Sequence, residues 1–144
     1  MSADVPLPKV AGDGGLPEGF NMNEVHIFKG YFCKFMCRSD WDNFYEEQIF
    51  SNDELKNHAR ASYNNETEKD FMEKIFDLDA DYQQMTRFVI NSLVNQGLLK
   101  REVKPNGTTY WKTSKLKALC PKILEVGLPS IDTLVDEYDK QHSA

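Results

Sequence analysis

From residue 23 the chain settles into a helical rhythm. Phe28, Tyr31, Phe32, Phe35 and Met36 fall at i, i+3, i+4, i+7 and i+8, the wide apolar stripe of a core helix. Asn23 reads as its N-cap, and Glu24 in the first turn complements the positive end of the helix dipole. The run Glu47-Gln48-Ile49-Phe50 then predicts a short strand. It delivers the chain to Ser51, which has Glu54 three residues later at capping-box spacing. A second helix should follow to about Ala61, with Leu55 and Ala59 inward. Between Tyr63 and Ala80, Asn64-Asn65 marks a turn, and Thr67 is placed to cap a further helix near 67–78 carrying Phe71, Met72, Ile75, Phe76 and Leu78.

The longest continuous pattern runs from Asp81 to Thr113. A helix opening near Asp79 or Asp81 is expected to bury Met85, Phe88, Val89, Ser92, Leu93 and Gln96. Its other side shows Gln84, Arg87, Asn91 and Asn95, flanked by Gln83. Gly97 should end it as a left-handed cap. Leu98 to Val103 and Thr108 to Thr113 have strand composition, and Pro105-Asn106-Gly107 between them has hairpin-turn chemistry. Alternation sends one of Tyr110 and Trp111 inward and the other outward. Lys115 to Leu124 suggests another short helix disturbed by Pro121. After Gly127-Leu128-Pro129 a last helix, capped by Ser130, puts Ile131, Leu134, Val135 and Tyr138 on one face that needs a partner surface.

Composition adds limits to this outline. The chain has 144 residues, 40% of them hydrophobic, enough for one cored domain with tails and too few for two comfortable ones. Residues 1–20 are Gly- and Pro-rich without periodicity and read as a disordered arm. No secretory pattern opens the sequence. The most apolar stretch, Val25 to Cys37, is broken by Lys29 and Lys34, short of the ~18 uninterrupted residues of a membrane span. Cys33, Cys37 and Cys120 form no CxxC pair, so neither a disulfide framework nor a zinc ribbon is indicated. A reducing interior follows: cytoplasmic, or nuclear in a eukaryote, and not secreted.

Charge changes the picture more. The formal net charge is −6, which by itself argues against a nucleic-acid partner, but it is unevenly spread. Residues 1–81 carry 8 Lys/Arg and 17 Asp/Glu, a net −9; residues 82–124 carry 8 Lys/Arg and one acid, Glu102, a net +7; residues 125–144 carry one Lys and five acids, a net −4. A single-sign block that coincides with a helix and a hairpin is the footprint of a polyanion-binding face. A solvated helix face alone would show polar residues too, but would mix the signs.

Helix, strand, helix, helix, strand, hairpin turn, strand, together with the text INSLVNQGLLKRE…NG…YWKT, resembles the winged helix-turn-helix family over residues 23–113. The resemblance implies an α+β, mostly α fold: a three-helix core with a β-hairpin wing, an extra helix near 67–78 and further C-terminal helices. Three parts would follow: the arm over 1–20, the winged-helix domain over 21–126, and a C-terminal helix over 127–144. It implies that the third helix, about 81–96, lies in the major groove of duplex DNA, with Gln83, Gln84, Arg87 and Asn91 over base edges, where Arg suits guanine and Asn or Gln suits adenine. It also implies that the wing over 100–112 brings Lys100, Arg101, Lys104, Asn106 and Lys112 to phosphates, with Lys115 and Lys117 extending the track. In typical members a short turn joins the second and third helices. Here Tyr63 to Ala80 intervenes, so residues 67–78 are either the second helix or an insertion.

The expected role is therefore a duplex-DNA-binding transcriptional regulator without cofactor or enzymatic chemistry, dimerising through Ile131, Leu134, Val135 and Tyr138. The alternative is a winged helix serving protein contacts in a larger transcription or sorting assembly. Other candidate chemistry is weaker. His26, Cys33 and Cys37 share one side of the first helix, yet no fourth ligand is recognisable, and buried thiols are the default. His58 and His142 stand without a nucleophile or carboxylate pattern and read as solvated. The acids of residues 40–54 and 66–81 lack the DxDxDG loop of a calcium site.

Overall fold

In the computed structural model, residue 16, residues 19–51 and residues 53–142 are described. Most of the expected arm lies outside them. Its described end is attached: Leu16 and Phe20 pack against the core, and the Lys74 ammonium donates to the Gly19 carbonyl at 2.7 Å while lying 4.4 Å from the Phe20 ring centre.

The element order is α1 (Met22–Arg38), β1 (Asn43–Tyr45), α2 (Glu46–Ser51), α3 (Glu54–Arg60), α4 (Glu66–Asp77), α5 (Asp79–Asn95), β2 (Leu99–Lys104), β3 (Gly107–Lys112), α6 (Ser114–Glu125) and α7 (Ile131–Gln141). The strands form one antiparallel sheet in the order β1-β3-β2. Mostly helical with a small sheet, the chain is α+β as expected.

α1 is the central helix, with Phe28, Tyr31, Phe32 and Met36 buried and α3 to α7 packed around it. Its N-cap is Asn21 rather than Asn23. Glu24 is the reason: it stands three residues after Asn21, and the two exchange backbone and side-chain bonds at 3.2 Å in a full capping box. The lysines that interrupt its apolar run are buried with partners. Lys34 donates to the carbonyls of Val126 and Gly127 at 2.6 and 2.8 Å, where the C-terminal end of α6 is negative.

Several predicted boundaries move. Residues 47–50 belong to α2, and the strand lies earlier, at Asn43–Tyr45. Ladder pairing decides this, since Phe44 sits opposite Tyr110 and stacks on it at 5.4 Å. Gln48 accepts from the Tyr45 N–H at 2.8 Å and so starts the helix. Ser51 ends α2 instead of capping the next helix, and Asp53 occupies the N-cap of α3 without a side-chain bond. Asn65, not Thr67, caps α4, accepting from the Glu68 N–H at 2.9 Å. In α5 the buried stripe is Tyr82, Met85, Thr86, Val89, Ile90 and Leu93, rotated from the expected one, so Phe88, Ser92 and Gln96 are half-buried. Thr86 tolerates burial because its hydroxyl donates to the Tyr82 carbonyl at 2.7 Å.

The segment expected as a helix near 67–78 is α4. α4 packs along α5 and is separated from it by Leu78 alone, whereas α2 and α3 are interposed between β1 and α4. α6 continues through Pro121 after a Thr113 cap. Ser130 precedes α7, but its hydroxyl pairs with that of Thr133 at 2.9 Å rather than with the backbone.

The structure shows what α7 covers, and it overturns the reading of the cysteines as free thiols. The apolar face of α7 finds its partner within the chain: Ile131 and Val135 are buried, and Leu134 and Tyr138 pack against the same core beside α1 and α6. Cys37 and Cys120 form a disulfide across 83 residues, with Cα atoms 5.4 Å apart. Spacing cannot reveal such a pair, because only the docking of α6 on α1 creates it. The cysteines therefore give no support to a reducing compartment. Among the described residues no helix is long and apolar enough to cross a membrane.

Candidate nucleic-acid interface

The local sequence explains how α5 and the hairpin come to stand side by side. Gly97, with φ +78°, turns the chain out of α5. Leu98 N–H donates to the Leu93 carbonyl at 2.9 Å and Gly97 N–H to Val94 at 3.1 Å, the paired bonds of a Schellman end. β2 then starts directly and pairs with β3 through a two-residue turn at Pro105-Asn106, Gly107 taking φ +141°. The returning strand sends Tyr110 into the core and leaves Trp111 outside, as alternation requires.

The predicted residues divide into three groups. On α5, Gln83 and Gln84 are half-buried and Arg87 is exposed, with its Nε 3.5 Å from a carboxylate oxygen of Glu46 at the start of α2. Asn91 accepts a hydrogen bond from the Arg101 guanidinium of β2, which also donates to the Tyr110 hydroxyl at 3.3 Å and lies 5.4 Å from that ring. Asn91, Arg101, Tyr110 and Phe44 thus form a continuous link from α5 across the sheet.

The second group lies on the other face of the hairpin. Lys100 and Lys104 flank Glu102, whose carboxylate is 3.5 Å from the Lys104 ammonium and accepts from the Trp111 indole N–H at 3.0 Å. The indole bond first, then the two lysine charges, holds this exposed carboxyl below its usual range. Asn106 is exposed at the tip.

The third group is turned to structural work. Lys112 donates to the Ser39 carbonyl at 2.8 Å and lies 4.7 Å from the Trp41 ring centre, and burial is the main cause that lowers its pKa. Lys115 donates to the Gln96 carbonyl at the end of α5 and meets Asp139 of α7, both at 2.7 Å. Lys117 meets Asp42 at 3.1 Å.

Sequence reasoning missed the acids that fold back onto the basic block. Glu46 faces Arg87, Asp42 faces Lys117 and Asp139 faces Lys115. Each partner comes from a segment outside residues 82–124, so the block's charge is partly compensated in space, and no local spacing announces it. His58 is also not solvated: it is half-buried 5.8 Å from the Phe35 ring, and burial, helped by Arg38 and Lys34, lowers its pKa. His142 stacks on Tyr138 at 3.9 Å.

Comparison with known proteins finds no matching family model, no matching curated protein and no matching solved structure.

Proposed function

We propose that this chain is a winged helix-turn-helix module that binds duplex DNA through α5 and the β2–β3 hairpin, as a transcriptional regulator would. What carries the reading is the side-by-side arrangement of α5 and the hairpin, held by the Arg101–Asn91 bond. It leaves Gln83, Gln84 and Arg87 away from the buried stripe of α5, Arg101 on the hairpin face that meets α5, and Lys100 and Lys104 on the opposite face with Asn106 at the tip. The order β1-β3-β2 and the direct passage of α4 into α5 support it. In this reading α4 is the second helix of the motif and α2 and α3 are the insertion.

The acids shape the mode of binding. Asp79 and Asp81 in the first turn of α5 repel phosphates there. The duplex therefore meets the middle of the helix, at Arg87, and the hairpin. Glu46 and Glu102 must release Arg87 and Lys104 before those cations reach phosphate, which keeps non-specific affinity low. With Arg87, Lys100, Arg101 and Lys104 as the contacts, log K should fall against log salt with a slope of roughly −3 to −4. Titration of mixed-sequence duplex DNA at low salt tests this. The reading fails if no binding is seen, or if Arg87→Ala with Lys104→Ala leaves binding unchanged.

A second reading is a winged helix whose hairpin side meets another protein. The same paired charges favour it, since internal ion pairs on a net acidic chain give a neutral, specific surface. Its mark would be absence of duplex affinity at every salt concentration together with a defined complex lost on Lys100→Glu.

A further inference from the structure

On the other side of β1 from the hairpin, a cavity of about 270 Å³ opens between α1, β1, α2 and α3. The aromatic residues Phe35, Trp41, Phe44 and Tyr45 line it together with Ile49, Leu55 and the polar Asn43, Gln48 and Glu54. The rings stand at steep angles: Trp41 to Phe44 at 68° with centres 5.5 Å apart, and Phe35 to Trp41 at 61° and 6.0 Å. The rings therefore do not form one flat slot.

Charge gives the cavity its preference. Between Ser39 and Leu55 the chain carries Asp40, Asp42, Glu46, Glu47, Asp53 and Glu54 and no Lys or Arg. Lys112 sits over Trp41, Lys117 meets Asp42 and Arg87 meets Glu46, so part of this charge is compensated, but none of these cations lines the cavity, whose charged lining residue is Glu54. Trp41 thus already serves one internal cation through its ring. Gln48, a polar acceptor on the wall, is engaged by the Tyr45 N–H.

We propose that this cavity binds a small organic cation of the quaternary ammonium class. The electron-rich faces of several rings attract a positive charge whose desolvation is cheap, and a carboxylate at the rim adds to that attraction. A primary ammonium would bring three N–H donors and a larger desolvation cost to a wall where rings outnumber the polar side chains of Asn43, Gln48 and Glu54, and a carboxylate ligand would meet Glu54 as a like charge. The volume lies just below the ~300–1,000 Å³ common for ligand sites, so the occupant is small. The site is independent of the α5–hairpin surface and stands whether or not that surface binds DNA.

Trp41 supplies the readout. In the full chain carrying Trp111→Phe, Trp41 is the sole indole, and its emission is titrated with choline and with the neutral isostere 3,3-dimethylbutan-1-ol, which has the same shape without the charge. The expected result is a saturable change with choline at millimolar concentration, binding of the alcohol about tenfold weaker or less, and none with benzoate. Tyr45→Ser and Glu54→Gln alter exposed side chains, and each should weaken choline binding severalfold with an unchanged circular dichroism spectrum and melting temperature. Equal binding of the alcohol, a preference for benzoate, a response that never saturates, or choline binding unaffected by both variants would overturn the proposal.

Discussion

The Lys29 ammonium, almost fully buried in α1, donates to the Asp132 carboxylate of α7 at 2.8 Å and to the Ser92 hydroxyl of α5 at 2.9 Å. Gln96 donates to the same carboxylate at 2.7 Å, and His26 stands 3.5 Å from its other oxygen. One acid thus ties three helices. Asp132→Ala leaves a buried cation short of its counter-charge, which for an enclosed pair costs about 3–5 kcal/mol. The Asp132 side chain is 43% exposed, so screening reduces this to about 2 kcal/mol. Urea unfolding of the variant checks the figure.

The same residue sets an acid limit. Burial would raise the Asp132 carboxyl, but the bonds from Lys29 and Gln96 and the charges of Lys29 and His26 outweigh it and leave the pKa below the ordinary 3.8. A depressed folded pKa gives stability that is full above the unfolded value and lost as pH falls through the folded one. Stability should therefore decline below about pH 4 in the native chain, and less steeply in Asp132→Asn. Melting temperatures between pH 2 and 6 compare the two.

The Cys37–Cys120 disulfide closes a long loop between α1 and α6. Reduction, or Cys120→Ser, should lower stability by about 2–4 kcal/mol, mostly by freeing the unfolded chain. Cys33 remains a thiol, and burial pushes its pKa up to about 12. Without reductant, an alkylating reagent should leave the folded protein unlabelled and add one label after unfolding in urea. Mass spectrometry counts the labels; three after urea alone would refute the bond.

Gly30 lies where α1 meets the loop between α6 and α7. A methyl group there would come within 2.7 Å of the Leu128 Cδ1 and 3.1 Å of the Pro129 carbonyl oxygen. Alanine gains ~1 kcal/mol of helix propensity, whereas overpacking costs ~1–3 kcal/mol. The backbone carbonyl cannot swing aside, so the cost should win, and Gly30→Ala should lower the urea midpoint.

Glu46→Gln removes the carboxylate beside Arg87 while keeping its size. On the DNA reading it should strengthen non-specific duplex binding severalfold and steepen the salt dependence by up to about one phosphate. Fluorescence anisotropy at two salt concentrations checks both.

Local pattern carried a good deal of this protein. The stripe of α1, the Gly97 end of α5, the hairpin turn at Pro105-Asn106-Gly107 and the opposite facing of Tyr110 and Trp111 were legible, because each depends on residues a few positions apart. Cap positions and the strand at 43–45 were less so. Neighbouring Asn and Ser residues compete on similar terms, and a three-residue strand exists only because β3 offers it a ladder.

The stretch from Asp81 to Thr113, read alone, determined a helix, a left-handed turn and a hairpin, together with a dense run of positive charge. Tertiary structure decided what surrounds that charge. It set Glu46, Asp42 and Asp139 against Arg87, Lys117 and Lys115, spent the apolar face of α7 on the chain's own core, and joined Cys37 to Cys120. The physical reason is one of range. Backbone preference acts over a few residues, whereas Coulomb attraction, burial and disulfide formation act between whichever side chains folding brings within a few ångströms.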